Sequence, residues 1–89
     1  MRVYMRIKGR VQGVGYRFFV RETAQKLSAT GWVQNLPDGD VECEAQGEAS
    51  AIGRMIQRLE TDHPYARVEK ITSQKIPDIE REKGFEIRT

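Results

Sequence analysis

The chain has 89 residues, a single cysteine and a formal net charge of +2 at pH 7. This length predicts one domain, residues 1–89, with a radius of gyration of roughly 12 Å, so any active site is expected to be a shallow cleft for a small substrate. One cysteine excludes an intramolecular disulfide. No apolar run approaches a membrane span or the core of a signal peptide, so we expect a cytoplasmic protein without membrane contact.

Charge is distributed unevenly along the chain. Between Met1 and Thr30 seven basic residues stand against one acid, whereas between Gly31 and Asp62 seven acids stand against two arginines. Such asymmetry can focus a small anion onto one region of the surface. Nucleic-acid binding is the rival interpretation, but the abundant acids disfavour a surface that follows a phosphate backbone. We therefore expect no nucleic-acid partner.

The first third of the chain predicts a strand, a glycine-containing loop and a helix. Apolar and polar side chains alternate over residues 3–8, which is typical of a strand with one buried face. Three glycines within residues 9–15 interrupt that pattern. A helix is predicted over residues 16–29, ended by Thr30-Gly31.

The rest of the chain predicts a hairpin, a second helix and two strands. The hairpin covers residues 32–46 and turns through Leu36-Pro37-Asp38-Gly39. The apolar stripe of the helix at residues 49–61 has the i, i+3, i+4, i+7 spacing and consists of Ile52, Met55, Ile56 and Leu59. An edge strand is predicted over residues 68–76 and a short final one over 85–87.

The order of these elements, βαββαβ, predicts a ferredoxin-like α+β fold. In this arrangement an antiparallel sheet carries both helices on one face. The short C-terminal strand is expected to extend the sheet.

Residues 9–17, which read Gly-Arg-Val-Gln-Gly-Val-Gly-Tyr-Arg, are the most informative segment. They join a strand to a helix N-terminus, where exposed N–H groups and the helix dipole favour an anion. A P-loop would need Gly-Lys-Ser/Thr, and a dinucleotide fingerprint would need a glycine where Phe18 stands. The alternative is an ordinary strand–helix turn in which the glycines serve only the bend.

Arg17 favours the anion-binding interpretation. A cation in the first turn of a helix faces the positive end of the macrodipole, which costs a few tenths of a kcal/mol. A bound anion removes that cost and is gripped by the guanidinium fork. The alternative is a surface arginine without a ligand.

Asn35 stands just before the hairpin turn, and its amide can both donate and accept a hydrogen bond. Such a group can hold a water in line with a phosphorus atom. On local grounds alone, the pattern favours the alternative, a hydrogen bond between the Asn35 side chain and its own turn backbone. Local pattern alone does not indicate whether Asn35 and the glycine loop lie close together.

Taken together, the two segments resemble the signatures of the acylphosphatase family. Residues 9–17 are similar to its first signature, and Gly31-Trp32-Val33-Gln34-Asn35 with Asp38-Gly39 to its second. Residues 83–88, Lys-Gly-Phe-Glu-Ile-Arg, are similar to the C-terminal strand of its bacterial and archaeal members. The resemblance covers essentially the whole chain. Tyr16 in place of a common phenylalanine and Ser28-Ala29 in place of a Gly-Leu pair are small departures.

The resemblance implies an acylphosphatase that hydrolyses small acyl phosphates to a carboxylate and inorganic phosphate. It implies catalysis by Arg17 and Asn35, with Asn35 positioning the water, and no metal, cofactor or covalent intermediate. We expect a monomer whose partners are its acyl phosphate substrate and inorganic phosphate. The residues implied in phosphate binding are Val11, Gln12, Gly13, Val14, Gly15, Tyr16 and Arg17. A catalytically idle domain that binds a phosphorylated ligand is the alternative.

The remaining residues of chemical interest have structural interpretations. His63 ends a helix in Asp-His-Pro and has no companion ligands, so a capping or surface role is expected. Cys43 lies on the apolar face of its strand and is assigned to core packing. Residues 14–20 resemble an aromatic RNA-binding motif only superficially, because they fall on a helix instead of a strand. The aromatic residues expected to pack the core and floor the cleft are Tyr16, Phe18, Phe19 and Trp32.

Overall fold

The computed structural model describes all residues from Met1 to Thr89. The predicted order of elements is confirmed, including the short C-terminal strand that extends the sheet. The elements are β1 (Arg2–Arg10), α1 (Tyr16–Lys26), β2 (Thr30–Asn35), β3 (Val41–Gln46), α2 (Ala49–Thr61), β4 (Arg67–Ile76) and β5 (Phe85–Arg88). Neither helix has the length and apolar content needed to cross a bilayer.

The five strands form one open sheet in the order β4-β1-β3-β2-β5. The first four pair antiparallel, as predicted. β5 pairs parallel to β2, with Phe85 opposite Gly31, so the whole sheet is mixed. The reason is that β4 and β5 occupy opposite edges. Residues 77–84 carry the chain from one edge to the other, and β5 therefore enters beside the start of β2.

The core lies between the sheet and the two helices, which both cover one face. The alternation in β1 and β3 and the stripe on α2 point their apolar side chains into this layer, as the sequence predicts. Cys43 is fully buried there, and burial raises the pKa of its thiol, so it packs as a small apolar group. The fully buried apolar residues of β1, β3, α1 and α2 are Met5, Ile7, Val41, Cys43, Ala45, Val20, Ala24, Ile52, Met55 and Leu59.

Helix α1 is three residues shorter than predicted. It ends at Lys26, with Leu27 as the C-cap. Ser28 adopts a left-handed conformation with φ of 58°, which breaks the helix because the next N–H groups can no longer continue the ladder. The N–H of Ala29 instead turns back to the carbonyl of Ala24 at 2.9 Å. Thr30-Gly31, the predicted stop, already belongs to β2.

The outer face of the sheet buries an arginine that the sequence pattern did not identify. The side chain of Arg2 is 0% exposed. Its Nε donates to Glu44 at 2.8 Å and its Nη1 to Glu82 at 2.7 Å. Glu82 lies in the 77–84 connection, so this charge cluster fastens the connection across the sheet. Burial alone would raise the pKa of Glu82, but the hydrogen bonds and charge of Arg2 outweigh it and lower the pKa.

We predict that Arg2→Met destabilises the fold by about 3 kcal/mol, because it leaves two largely buried carboxylates without their cation. Chemical denaturation followed by circular dichroism measures this. The control is Arg67→Met, since Arg67 is exposed on the edge strand; it should change stability by no more than about 0.5 kcal/mol.

The same cluster predicts an acid-dependent loss of stability. Because the folded pKa of Glu82 is depressed, its contribution is present above the unfolded pKa and disappears as pH falls through the folded value. Wild-type protein should therefore lose more stability on acidification than Arg2→Met. Equal acid sensitivity in the two proteins would contradict this assignment.

Candidate active site

The glycine loop and Asn35 meet at one end of the sheet. β1 and β2 both run antiparallel to the intervening β3, so their carboxyl ends lie at the same end. The loop follows β1, and Asn35 is the final residue of β2. Between them lies a cleft of about 150 Å³, lined by Val11, Gln12, Gly13, Gly15, Tyr16, Arg17, Phe18 and Asn35.

The loop presents a run of unpaired backbone donors to this cleft. Gly13 and Gly15 have φ of 77° and 73°, the left-handed conformation that glycine adopts without strain. No backbone carbonyl accepts from the N–H groups of residues 12–18; the first such bond in α1 is donated by Phe19 to Gly15. The N-cap has no side-chain hydrogen bond, and the first turn contains no acid. The positive end of α1 is thus uncompensated, as at an anion-binding helix terminus.

Arg17 adds a full positive charge beside these donors. Its side chain is half-buried and forms no ion pair with any carboxylate of the chain. One guanidinium nitrogen, Nη1, donates to the carbonyl of Arg88 in β5 at 3.0 Å. Arg88 is itself held by Trp32, whose ring centroid lies 4.5 Å from its guanidinium carbon. The sheet therefore restrains Arg17 through a neutral acceptor that leaves its charge available to an anion.

Asn35 contributes an unsatisfied acceptor to the cleft. In β2 it alternates with Gln34 and so shares the helix-covered face with Val33. Its Oδ1 atom is buried and accepts no hydrogen bond from the protein. The alternative in which this oxygen bonds to its own turn is not observed. The turn is held instead by Asp38, whose Oδ1 accepts from the N–H of Asp40 at 2.9 Å.

Gln12 joins the loop to the turn after Asn35. Its Nε2 donates to the carbonyls of Leu36 and Asp40, both at 2.8 Å. The first of these carbonyls belongs to the residue after Asn35. The side chain of Gln12 is therefore engaged within the protein, and what it can offer a phosphate is its backbone N–H. Together the two bonds set the spacing between the loop and Asn35.

Val14 and Phe18 direct their side chains differently. The side chain of Val14 packs against the core, so what Val14 can present to the cleft is its backbone N–H. Phe18, expected both to pack the core and to floor the cleft, lines the cleft but is 61% exposed, so only its assignment to the core is wrong. Helix geometry indicates the exposure of Phe18: it lies two residues, about 200° around the helix axis, from the buried Tyr16 and so faces away from the core.

Tyr16 and His63 have structural roles beside the cleft. The phenol of Tyr16 donates to the carbonyl of Leu59 at 2.7 Å, and burial raises its pKa, so it remains a donor. The Nδ1 of His63 accepts from the N–H groups of Tyr65 and Ala66, so the ring stabilises the turn that follows α2. A wider depression of about 570 Å³ lies at the other end of α1 and contains none of the predicted site residues. It is lined by Lys26, Leu27, Ser28, Gly47, Glu48, Ser50, Ala51 and Arg54.

Comparison with known proteins agrees with the sequence signatures. The family model described as Acylphosphatase matches residues 3–87. An acylphosphatase from Rubrobacter xylanophilus is 42% identical over 87 residues, which cover 98% of this chain and 79% of that protein. The crystal structure of acylphosphatase from Bacillus subtilis superposes with a TM-score of 0.94 at 33% identity, covering 99% of this chain and 98% of that one. An acylphosphatase from Coxiella burnetii gives a TM-score of 0.90 at 37% identity, with 98% and 90% covered.

Proposed function

The chain belongs to the acylphosphatase family, and on that basis we propose how its cleft hydrolyses small acyl phosphates. The enzyme converts an acyl phosphate to a carboxylate and inorganic phosphate. In the proposed mechanism the backbone of residues 11–17 and the guanidinium of Arg17 bind the phosphate. Asn35 orients the attacking water.

The observation that carries this proposal is the convergence of three unsatisfied groups on one cleft. They are the N–H groups of residues 12–17, the unpaired charge of Arg17 and the buried Oδ1 of Asn35. The first two are complementary to phosphate oxygens, and the third is complementary to a donor such as water. A phosphate with a water beside it would satisfy all three together.

The proposed reaction needs positioning and charge stabilisation more than a strong base. The water oxygen forms a bond to phosphorus as the bond from phosphorus to the acyl oxygen breaks, and the bonding electron pair leaves on the carboxylate. The water proton passes to a phosphate oxygen. A carboxylate is a good leaving group, so the reaction needs no strong base. The contribution of the protein is to position the phosphate and to stabilise, through the donors around it, the charge that develops in the transition state.

The alternative is a domain that binds phosphorylated ligands without turnover. Such a domain needs the loop and Arg17 but no water-positioning amide, so Asn35 distinguishes the two. The orphaned Oδ1 of Asn35 favours the enzyme. We further propose that the protein is a cytoplasmic monomer with no nucleic-acid or membrane partner.

The test of this function is release of benzoate from benzoyl phosphate in excess EDTA. We predict full activity, because neither Arg17 nor Asn35 is a metal ligand in the proposed mechanism and the chain holds no cluster of three His, Cys, Asp or Glu residues. Inorganic phosphate should inhibit competitively, since it occupies the same cradle. Activity that disappears in chelator and returns with magnesium or zinc would refute the mechanism.

Removal of Arg17 tests phosphate binding. Arg17→Ala should lower the rate at least ~10²-fold, as loss of one preorganised donor does. Arg17→Lys should restore little, because a point charge cannot reproduce the bidentate fork. The matched control is Arg54→Lys, an exposed arginine on α2 away from the cleft, which should retain wild-type kinetics. A lysine at position 17 with near-wild-type kcat/KM would contradict the assigned role.

Removal of Asn35 separates water positioning from phosphate binding. Asn35→Ala should lower kcat at least ~10²-fold while changing the phosphate inhibition constant less than about threefold, because the lost interaction serves the nucleophile. Asn35→Asp is a sharper probe, since it keeps the size but places a negative charge near the phosphate. Gln34→Ala is the control, an amide from the same strand that faces the outer side and bonds to Glu42.

Circular dichroism verifies that each Asn35 variant is folded. If kcat survives in Asn35→Ala, another group positions the water. If phosphate affinity falls together with kcat, Asn35 is a substrate ligand or a structural residue of the turn.

A further inference from the structure

Phe18 is an exposed aromatic ring at the edge of the phosphate cleft. It lies in the first turn of α1, next to Arg17, and is 61% exposed. Because the ring is largely exposed to solvent, it contributes little to the stability of the core. Its apolar surface remains available for burial against a ligand, which would be favourable. Single exposed apolar residues are common on protein surfaces. Phe18 differs from such residues because it lines the cleft, where its ring can contact a bound substrate.

Phe18 supplies the accessible apolar surface of the cleft. Three apolar side chains line it: Val11, Tyr16 and Phe18. Val11 and Tyr16 are each 1% exposed and belong to the core, so they have almost no surface left for a ligand. The remaining lining consists of backbone, the Gln12 amide engaged with the turn, and the two proposed catalytic side chains. The acyl chain of a bound substrate can therefore make apolar contact with Phe18 and with little other apolar surface.

Arg21 steadies the Phe18 ring. Its guanidinium carbon lies 5.0 Å from the ring centroid, one helical turn further along α1. This cation–π contact covers one face of the ring and limits its rotation. A restrained ring loses less side-chain entropy on binding than a mobile one.

We propose that Phe18 is the specificity-determining residue of the acyl group, forming a platform on which aromatic and other apolar acyl chains pack. The proposal rests on the phosphate site described above. The cleft of about 150 Å³ has little accessible apolar surface apart from Phe18, so an apolar acyl chain that packs against the protein meets this ring. Contact between two aromatic groups adds to the gain from area alone, so aromatic acyl phosphates are preferred to acetyl phosphate.

The test compares kcat/KM for benzoyl phosphate and acetyl phosphate in wild type and Phe18→Ala. Truncation should lower the value for benzoyl phosphate about tenfold, the usual effect of a lost apolar pocket contact, and change acetyl phosphate less than about twofold. Each substrate is compared with itself, so their different intrinsic reactivities cancel. Phe18→Leu keeps part of the apolar surface and should give an intermediate selectivity if Phe18→Ala proves difficult to fold.

Tyr65→Ala is the matched control. Tyr65 is also an exposed aromatic residue, at 77%, but it does not line the cleft. It should leave both substrates unaffected. Equal losses on both substrates in Phe18→Ala, no loss on either, or the same selective loss in Tyr65→Ala would each overturn the proposal.

Binding of two inert ligands separates this proposal from the proposed function. Phenylphosphonate and methylphosphonate carry the phosphate-like group without a cleavable acyl bond, and calorimetry measures their affinities. Wild type should prefer the phenyl compound, and Phe18→Ala should lose that preference. If wild type prefers the phenyl compound but hydrolyses neither acyl phosphate, the role of Phe18 as a platform is supported and the proposed enzymatic function is refuted. If hydrolysis proceeds without any dependence on Phe18, the enzyme stands and the platform fails.

Discussion

The geometry of the cleft depends on the hydrogen bonds donated by the side-chain amide of Gln12. Its two hydrogen bonds attach the glycine loop to the carbonyls of Leu36 and Asp40. The loop and the hairpin turn come from strands that are not neighbours, because β3 lies between β1 and β2. Without this amide, no side-chain hydrogen bond would connect the glycine loop to the turn that follows Asn35. Preorganised donors are effective only when their spacing is held in this way.

Local periodicity predicts most of the fold because burial on one face leaves a clear pattern. The alternation in β1 and β3 and the stripe on α2 are repeated by the buried residues of the structure. The predicted end of α1 is wrong because Ser28 adopts a left-handed conformation, which is not expected from a serine. The burial of Arg2 was missed because its carboxylate partners lie 42 and 80 residues away, and pairing at that distance is set by topology.

The candidate site shows the same division between local and long-range information. Its residues were identified from two signatures, but their proximity follows from the strand order. Charge pairing also depends on that order: Arg6 meets Asp38 and Asp40, and Arg2 meets Glu44 and Glu82. Carboxylates therefore pair with two of the basic residues of β1, Arg2 and Arg6, whereas Arg17 has no carboxylate partner. Net charge along the chain could not distinguish these arginines.

The hydrogen bond from Arg17 to the carbonyl of Arg88 links residues 71 positions apart. β5 is a four-residue strand at the edge of the sheet, paired only with β2. Short edge strands open in local fluctuations that leave the remaining core folded. Opening of β5 would break this bond and release the guanidinium of Arg17 without global unfolding. Two homologues of equal melting temperature can accordingly differ in how rigidly they hold this arginine, and amide hydrogen exchange along residues 85–88 reports that difference.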